Sequence, residues 1–458
     1  MRNLFHGLFP VALATALCSC AGAQSGIVPA AGIMPRGVSH AGHPSSVGNY
    51  IKHIVIIVQE NHSFDNLFST FPGADGTKTG KMSTGKTVKL KKSNLFSPRL
   101  FENSNLAFTV DYDNGKMDGW NRVYVGSKPC PKCAYAYVDP TQIAPYWTMA
   151  QQYALADHMV TTEASGSFTG HQDLIRGSTA INSTTSLIDF PSRGPWGCDA
   201  PAGATVPELL SNGNYVQNGP FPCSSAFAPS GTYSTLRDLL DAASVSWRYY
   251  TPALFNGGLA GAYWDAFDAI APVRNGSEWK TNIVSPEKKV LNDASKGKLA
   301  GVSWVIPDGI NSDHSGFGNS DKGPSWVASV VNAIGQGSDW NSTAIIVVWD
   351  DWGGWYDHVT PPQIDYAGLG FRVPMIVVSP YAKQGYVSST QYEFGSIIKF
   401  VEEAYGLGSL GTDDRRANSI DDMFNFDAKP RAFKPIDAKY SRSFFERQPP
   451  SNVPVDTD

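Results

Sequence analysis

The chain has 458 residues, 17% of them charged and 12% aromatic, with 44 glycines, 31 prolines and a formal net charge of −5. So few charges and so many aromatics exclude a disordered chain or a long coiled coil, and the weak acidic balance gives no electrostatic case for a nucleic-acid partner. What remains is a loop-rich globular protein of the secreted kind, long enough to bury a large core.

The N-terminus, MRNLFHGLFPVALATALCSCAGAQS, carries Arg2, an apolar stretch from Leu8 to Leu17 and then small residues. Residues 1–23 read as a signal peptide, too short to span a membrane. Two processing sites compete. Cleavage after Ala23 would leave Gln24 first, whereas Leu17-Cys18-Ser19-Cys20 resembles a lipobox that would lipidate Cys20. The expected product is exported: periplasmic, secreted or an outer-membrane lipoprotein. Residues 24–48, rich in Gly, Pro, Ala and Ser, read as a flexible linker.

The expected ordered region is one catalytic domain over 49–427, followed by a Pro-rich surface tail over 428–458. Apolar, β-branched runs predict strands at 53–59, 245–250, 301–306, 343–349 and 373–379. Between them, residues 145–156, 234–244, 324–335 and 394–406 read as helices. Alternating strands and helices predict an α/β fold, a mostly parallel central sheet with helices on both faces. Two long stretches, 66–140 and 180–232, read as loop insertions that roof a site. The run Lys86–Lys92 (KTVKLKK) reads as a solvated loop. In an oxidising compartment Cys130, Cys133, Cys198 and Cys223 favour disulfides over zinc, and Cys130–Cys133 with Cys198–Cys223 gives the two shortest loops.

Several predicted strands end in acid or amide: the first in Glu60-Asn61, the third ahead of Asp308 and Asp313-His314, the fourth in Asp350-Asp351. Ligands of open α/β sheets bind beyond the carboxyl ends of the strands. Glu60, Asn61, Asp350 and Asp351 offer oxygen alone and so suit one hard or borderline divalent ion. Gly353-Gly354 supplies the turn that lets both aspartates face it. Taken singly, each of these residues could merely cap a turn or begin a helix. Ser167, at the start of a predicted helix, is the candidate nucleophile, although Ser167 or Thr169 could instead serve as an N-cap. His314 and His358 are candidates to bind phosphoryl oxygens or to protonate a leaving group. His171 is a candidate to bind the phosphate or to orient the nucleophile loop, and His62 and His158 read as structural. Asp357 has no evident chemical task.

IVQENHSFDNLFSTFPGADG (57–76), DYDNGKMDGW (111–120), SFTGHQDLIRGST (167–179), SDHSG (312–316) and VVWDDWGGWYDHVTPP (347–362) together resemble the bacterial phosphoesterase family. That family includes secreted phospholipases C and acid phosphatases. The resemblance implies an alkaline-phosphatase-like fold, a Ser or Thr nucleophile on a metal, and Glu60, Asn61, Ser167, Asp350 and Asp351 as ligands. It also implies phosphoryl contacts from His314 and His358, with Asp313 beside them. Two departures stand out. The nucleophile stretch, Ser165 to Gln172, lacks the family's usual prolines, and Glu102-Asn103-Ser104-Asn105 stands where a histidine usually precedes DYDNGKMDG.

The expected activity is metal-dependent hydrolysis of phosphate esters through a phosphoserine, of the phospholipase C type. A phosphomonoesterase (acid phosphatase) is the alternative, and a phosphate-ligand-binding lipoprotein without turnover is the second. Partners would be a phosphate-ester or phospholipid substrate, together with a membrane surface or lipid anchor. Protonated His314 and His358 would offset the acidic site, so better activity is expected on the acidic side of neutral, since an unperturbed histidine titrates near pH ~6.5.

Overall fold

The computed structural model describes residues 47–125, 128–227, 233–252, 263–316 and 321–451. The signal peptide and all but the last two residues of the linker fall outside them.

The longest β-branched runs form the centre of an eight-stranded sheet. Its strands are β1 (His53–Gln59), β2 (Ala154–Ala156), β3 (Trp247–Tyr250), β4 (Ile283–Val284), β5 (Val302–Val305), β6 (Thr343–Trp349), β7 (Met375–Val378) and β8 (Tyr386–Ser388), in the order β4-β3-β5-β1-β6-β7-β2-β8. All pairings are parallel except those of β7, which runs antiparallel to both β6 and β2. Every residue of β5 and β6 is buried, as expected for strands covered on both faces.

Five helices matter for the site: α1 (Asn105–Tyr112), α2 (Ala144–Gln152), α3 (Ser167–Arg176), α4 (Gly323–Gly335) and α5 (Phe394–Tyr405). Four of them pack in pairs, α2 with α4 and α3 with α5. The expected helix 145–156 ends at Gln152 because Tyr153 leaves helical geometry, and Ala154–Ala156 continues as β2. β4 and β8, two and three residues long, are too short to show a period in the sequence.

The insertions carry small sheets. Residues 180–216 form a four-stranded antiparallel one, and Phe108, Trp120, Tyr135, Trp352, Trp355 and Phe371 fill a second apolar cluster under the first insertion. Cys130 pairs with Cys133 and Cys198 with Cys223. The C-terminal segment is tied down: Trp340 Nε1 donates to the Arg431 carbonyl at 2.8 Å, and buried Phe445 meets Trp326 edge-on.

Asp357 finds its partner in Arg372, which is fully buried and donates to it through Nε (2.8 Å) and Nη2 (3.1 Å). The same guanidinium holds the carbonyls of Asp75 and Asp157, each at 2.8 Å. Removing one partner of a buried pair leaves an uncompensated charge. Arg372→Met is therefore expected to lower stability by about 3–5 kcal/mol, read as a shifted urea midpoint at unchanged slope.

Candidate active site

β1 and β6 pair in register from His53↔Thr343 to Gln59↔Trp349, so the next residue on each strand, Glu60 and Asp350, emerges side by side. The backbone then turns on both strands. Asn61 sits at φ 55, and Gly353 and Gly354 at φ 60 and 68; a side chain at Gly353 would press to within 2.1 Å of the Asn61 carbonyl. This is the Gly-Gly turn expected from the sequence. It carries Asp351 round to the same side as Asp350, and Gly353 N–H donates to Asp351 Oδ1 at 2.6 Å.

Ser167 is the first residue of α3. Its hydroxyl lies 3.1 Å from Asp351 Oδ2, 3.4 Å from the Asn61 side-chain amide and 3.5 Å from Glu60 Oε2. α3 approaches so closely because Gly170 lacks a side chain, and a Cβ there would lie 2.5 Å from the Asp350 carbonyl. The structure therefore brings together Ser167, Glu60, Asn61, Asp350 and Asp351, all buried, from three separate segments.

Three carboxylates with no exposure cannot share one spot as anions without a counter-charge. Burial lifts Glu60 to about 8 and, with the charge of Glu60 added, Asp350 to about 8; burial and Asp350 hold Asp351 well above the carboxylate range. Asp350 Oδ2 has no hydrogen-bond partner. The Asn61 amide oxygen faces Glu60 Oε2 at 3.1 Å and Asp350 Oδ1 at 3.3 Å, acceptor against acceptor. Turned over, that amide would donate to both carboxylates and accept from Asn103. A cation among the acids would draw the oxygen inward instead. These donors fit a hard or borderline divalent ion.

His171, on α3, has its Nε2 2.9 Å from Glu60 Oε1 and 3.9 Å from Asp350 Oδ2, so it belongs to the same potential cation group. Burial pulls its pKa down to about 4. His314 donates from Nδ1 to the Ser315 carbonyl at 2.5 Å, and its Nε2 lies 3.2 Å from the Asn61 amide. Asp313 and His358 stand elsewhere. Asp313 Oδ2 accepts from the Tyr146 hydroxyl at 2.7 Å, and its carbonyl lies 3.1 Å from His62 Nε2, a geometry that its φ of 72 permits. His358 is held by Asp65 (Nδ1–Oδ2, 2.6 Å) and Asp75 (Nε2–Oδ1, 3.3 Å), because it follows the buried Asp357–Arg372 pair and not the turn that carries Asp351.

The Phosphoesterase family model matches residues 51–408. The chain belongs to the phosphoesterase family. It is a hydrolase acting on phosphate esters. Phospholipase C A of Mycobacterium tuberculosis is 24% identical over 448 residues, covering 84% of this chain and 79% of the relative. The non-hemolytic phospholipase C of Pseudomonas aeruginosa is 25% identical over 415 residues, and here the match spans 78% of this chain but only 54% of the relative. A solved protein of the alkaline phosphatase superfamily from Vibrio parahaemolyticus aligns with 82% of this chain and 74% of its own, at 12% identity and a TM-score of 0.37.

Two residues of this phosphoesterase's site were not among the expected ones. Asn103 Nδ2 donates to Asp351 Oδ2 at 2.9 Å, from the segment where the family resemblance leads a histidine to be expected; that departure is the sequence's only pointer to it. Trp264 stacks against both His171 and His314, with ring centroids at 6.3 and 5.9 Å, and nothing in its sequence surroundings marks it.

Protons compete with a cation for this site. Raised pKa values mean that the folded, cation-free protein binds more protons than the unfolded chain, so its stability falls as pH rises from about 4.5 towards 8. Cation affinity should move the other way, tightening by about tenfold per pH unit for each proton displaced between pH 6 and 8. Calorimetric titration of chelator-treated protein across that range checks the slope, and a flat profile contradicts it. Asn103→Ala is expected to weaken cation binding about 10- to 100-fold by releasing Asp351, measured in the same titration.

Proposed function

We propose that this protein is an exported phospholipase C-type phosphoesterase, working through a phosphoserine on Ser167 with one divalent cation. The observation that carries the reading is the Ser167 hydroxyl, fixed at a helix N-terminus within 3.1–3.5 Å of Asp351, Asn61 and Glu60. The relatives named above are phospholipases C, which supports a phosphodiester of a phospholipid as substrate.

In this reading Glu60, Asn61, Asp350 and Asp351 hold the cation, with His171 orienting Glu60. The bound cation would lower the pKa of the Ser167 hydroxyl and offset phosphate charge. Ser167 Oγ passes its proton to Asp351 Oδ2, 3.1 Å away, and attacks phosphorus. The bond from phosphorus to the lipid alcohol breaks and the alcohol oxygen takes up that proton. Water then attacks phosphorus and the bond to Ser167 Oγ breaks. Exposed N–H groups at the start of α3 favour the phosphoryl oxygens. Buried His314, its Nδ1 proton committed to Ser315 and its Nε2 3.2 Å from the Asn61 amide, would be the group that passes a proton as the alcohol leaves and water enters. His358 has no part in these steps.

Ser167→Ala is expected to reduce hydrolysis of phosphatidylcholine at least about 10³-fold while the protein still binds its cation. Unchanged turnover would remove Ser167 from the mechanism. A panel of phosphatidylcholine against p-nitrophenyl phosphate decides the substrate class, and a clear preference for the monoester would make the enzyme a phosphomonoesterase. Among the described residues no helix is long and apolar enough to cross a membrane.

A further inference from the structure

Residues 76–132, within the first insertion, hold eleven Lys and Arg against four Asp and Glu, a surplus of seven in a chain whose net charge is −5. All eleven are exposed, and among the described residues only Lys92, Lys116 and Arg122 of them meet a carboxylate. The run Lys86–Lys92, expected to be a solvated loop, passes through two short strands, Thr87–Lys89 and Lys91–Ser93, and all four of its lysines are exposed. The same insertion carries four of the five large apolar side chains exposed among the described residues: Phe96, Leu106, Val110 and Tyr124. Exposed apolar groups gathered in one place mark an interaction surface, and a field of one sign says which partner it attracts.

Three of these apolar groups share one hollow. Leu106 and Val110 stand one turn apart on α1, 52% and 40% exposed, and Tyr124 is 51% exposed. With Arg122 they line a hollow of about 160 Å³. Glu102 and Asp111 line it too, but burial and the charge of Glu102 push Asp111 well above the carboxylate range, so it adds little negative charge. Backbone and side-chain bonds bring more cations to the rim. Val125 pairs with Lys128 across a short antiparallel ribbon, and Cys130 N–H donates to the Val123 carbonyl at 3.0 Å, which sets Lys128 and Lys132 beside Tyr124. Asn121, next to Arg122, accepts from Ser83 N–H at 2.7 Å and donates to its hydroxyl at 3.0 Å. This ties down the turn that Met82 N–H closes on the Lys86 carbonyl at 2.9 Å.

We propose that α1, the ribbon from Tyr124 to Lys132 and the turn from Ser83 to Lys86 form a docking surface for a bilayer containing anionic phospholipid, an inference that rests on the phospholipase C reading above. The cations draw this surface to the headgroups, each contributing roughly fivefold in affinity. Leu106, Val110 and Tyr124 then enter the interface, where a tyrosine ring finds apolar surroundings and its hydroxyl a polar partner. A nucleic acid would match the charge but would leave Leu106 and Val110 in water. The surface is also tied to the reacting centre. α1 begins two residues after Asn103, whose side chain holds Asp351. A bilayer gripped by α1 is therefore held against the segment that positions Asp351.

The test sediments the full chain, carrying Ser167→Ala so that lipid stays intact, with vesicles of phosphatidylcholine alone or mixed with phosphatidylglycerol. Binding to the mixed vesicles is expected to be at least about 10-fold tighter at low salt. Lys128→Ala with Lys132→Ala should weaken it about 25-fold, and Leu106→Ser with Tyr124→Ser about 10-fold. Lys296→Ala with Lys298→Ala removes the same charge ahead of β5, at the opposite end of the sheet, and should leave binding unchanged. Matching thermal melts confirm that the variants fold. No turnover is read, so this outcome is separate from the reading of Ser167, which stands or falls on hydrolysis by the parent chain. Equal binding to both vesicle types, or mixed-vesicle binding unchanged by either pair at the surface, would overturn the proposal. A loss confined to the lysine pair would reduce the surface to one for polyanions in general and would overturn it equally.

Discussion

Everything at this site depends on burying Glu60, Asp350 and Asp351 together at the end of two paired strands. In water each carboxylate would be ionised and hydrated. Here none has solvent, and one oxygen of Asp350 accepts no hydrogen bond. Such an arrangement persists only if protons or a cation replace the lost hydration. The surrounding groups fit the cation: an amide that can present either end, a hydroxyl at a helix start, and a histidine on the outer oxygen of Glu60. The geometry thus concentrates the candidate site in a few atoms.

The sheet topology decides which loops can contribute. β7 runs against its neighbours, and this reversal has an important result. β2, antiparallel to β7, becomes parallel to β6, so the segments leaving β1, β2 and β6 all emerge at one edge. Ser167 and His158 both follow β2, and Asp351 and His358 both follow β6. One edge therefore carries two clusters of ionisable groups, a buried one of Glu60, Asp350 and Asp351 and a more exposed one of Asp75, His158 and His358.

Where the sequence was legible, a simple physical pattern made it so. Seven-residue β-branched runs announced β1 and β6, and their in-register pairing makes the acids after them neighbours. Gly353-Gly354 could be read because adjacent strand residues cannot face one ion without a turn. His358 could not be placed the same way. Once the chain passes that turn, its path is set by the buried Arg372, which lies fourteen residues beyond His358. Asp313 misled for a similar reason, since its backbone takes a left-handed conformation that directs the side chain to Tyr146. Asn103 and Trp264 belong to segments without periodicity, and only the fold brings them to the site. Short strands such as β4 and β8 owe their pairing to neighbours and carry no pattern of their own.

The bond from Asn61 N–H to Asp350 Oδ1 joins residues 289 positions apart in the chain. An ion shared by those residues would act as a removable cross-link closing a very long loop. Loop-closure entropy grows slowly with length, so such a clasp restrains the unfolded chain little more than a clasp across half the distance would. Its larger effect is on timing. Glu60 and Asp350 come together only after β1 and β6 have paired, so the candidate site would assemble only as a late step of folding.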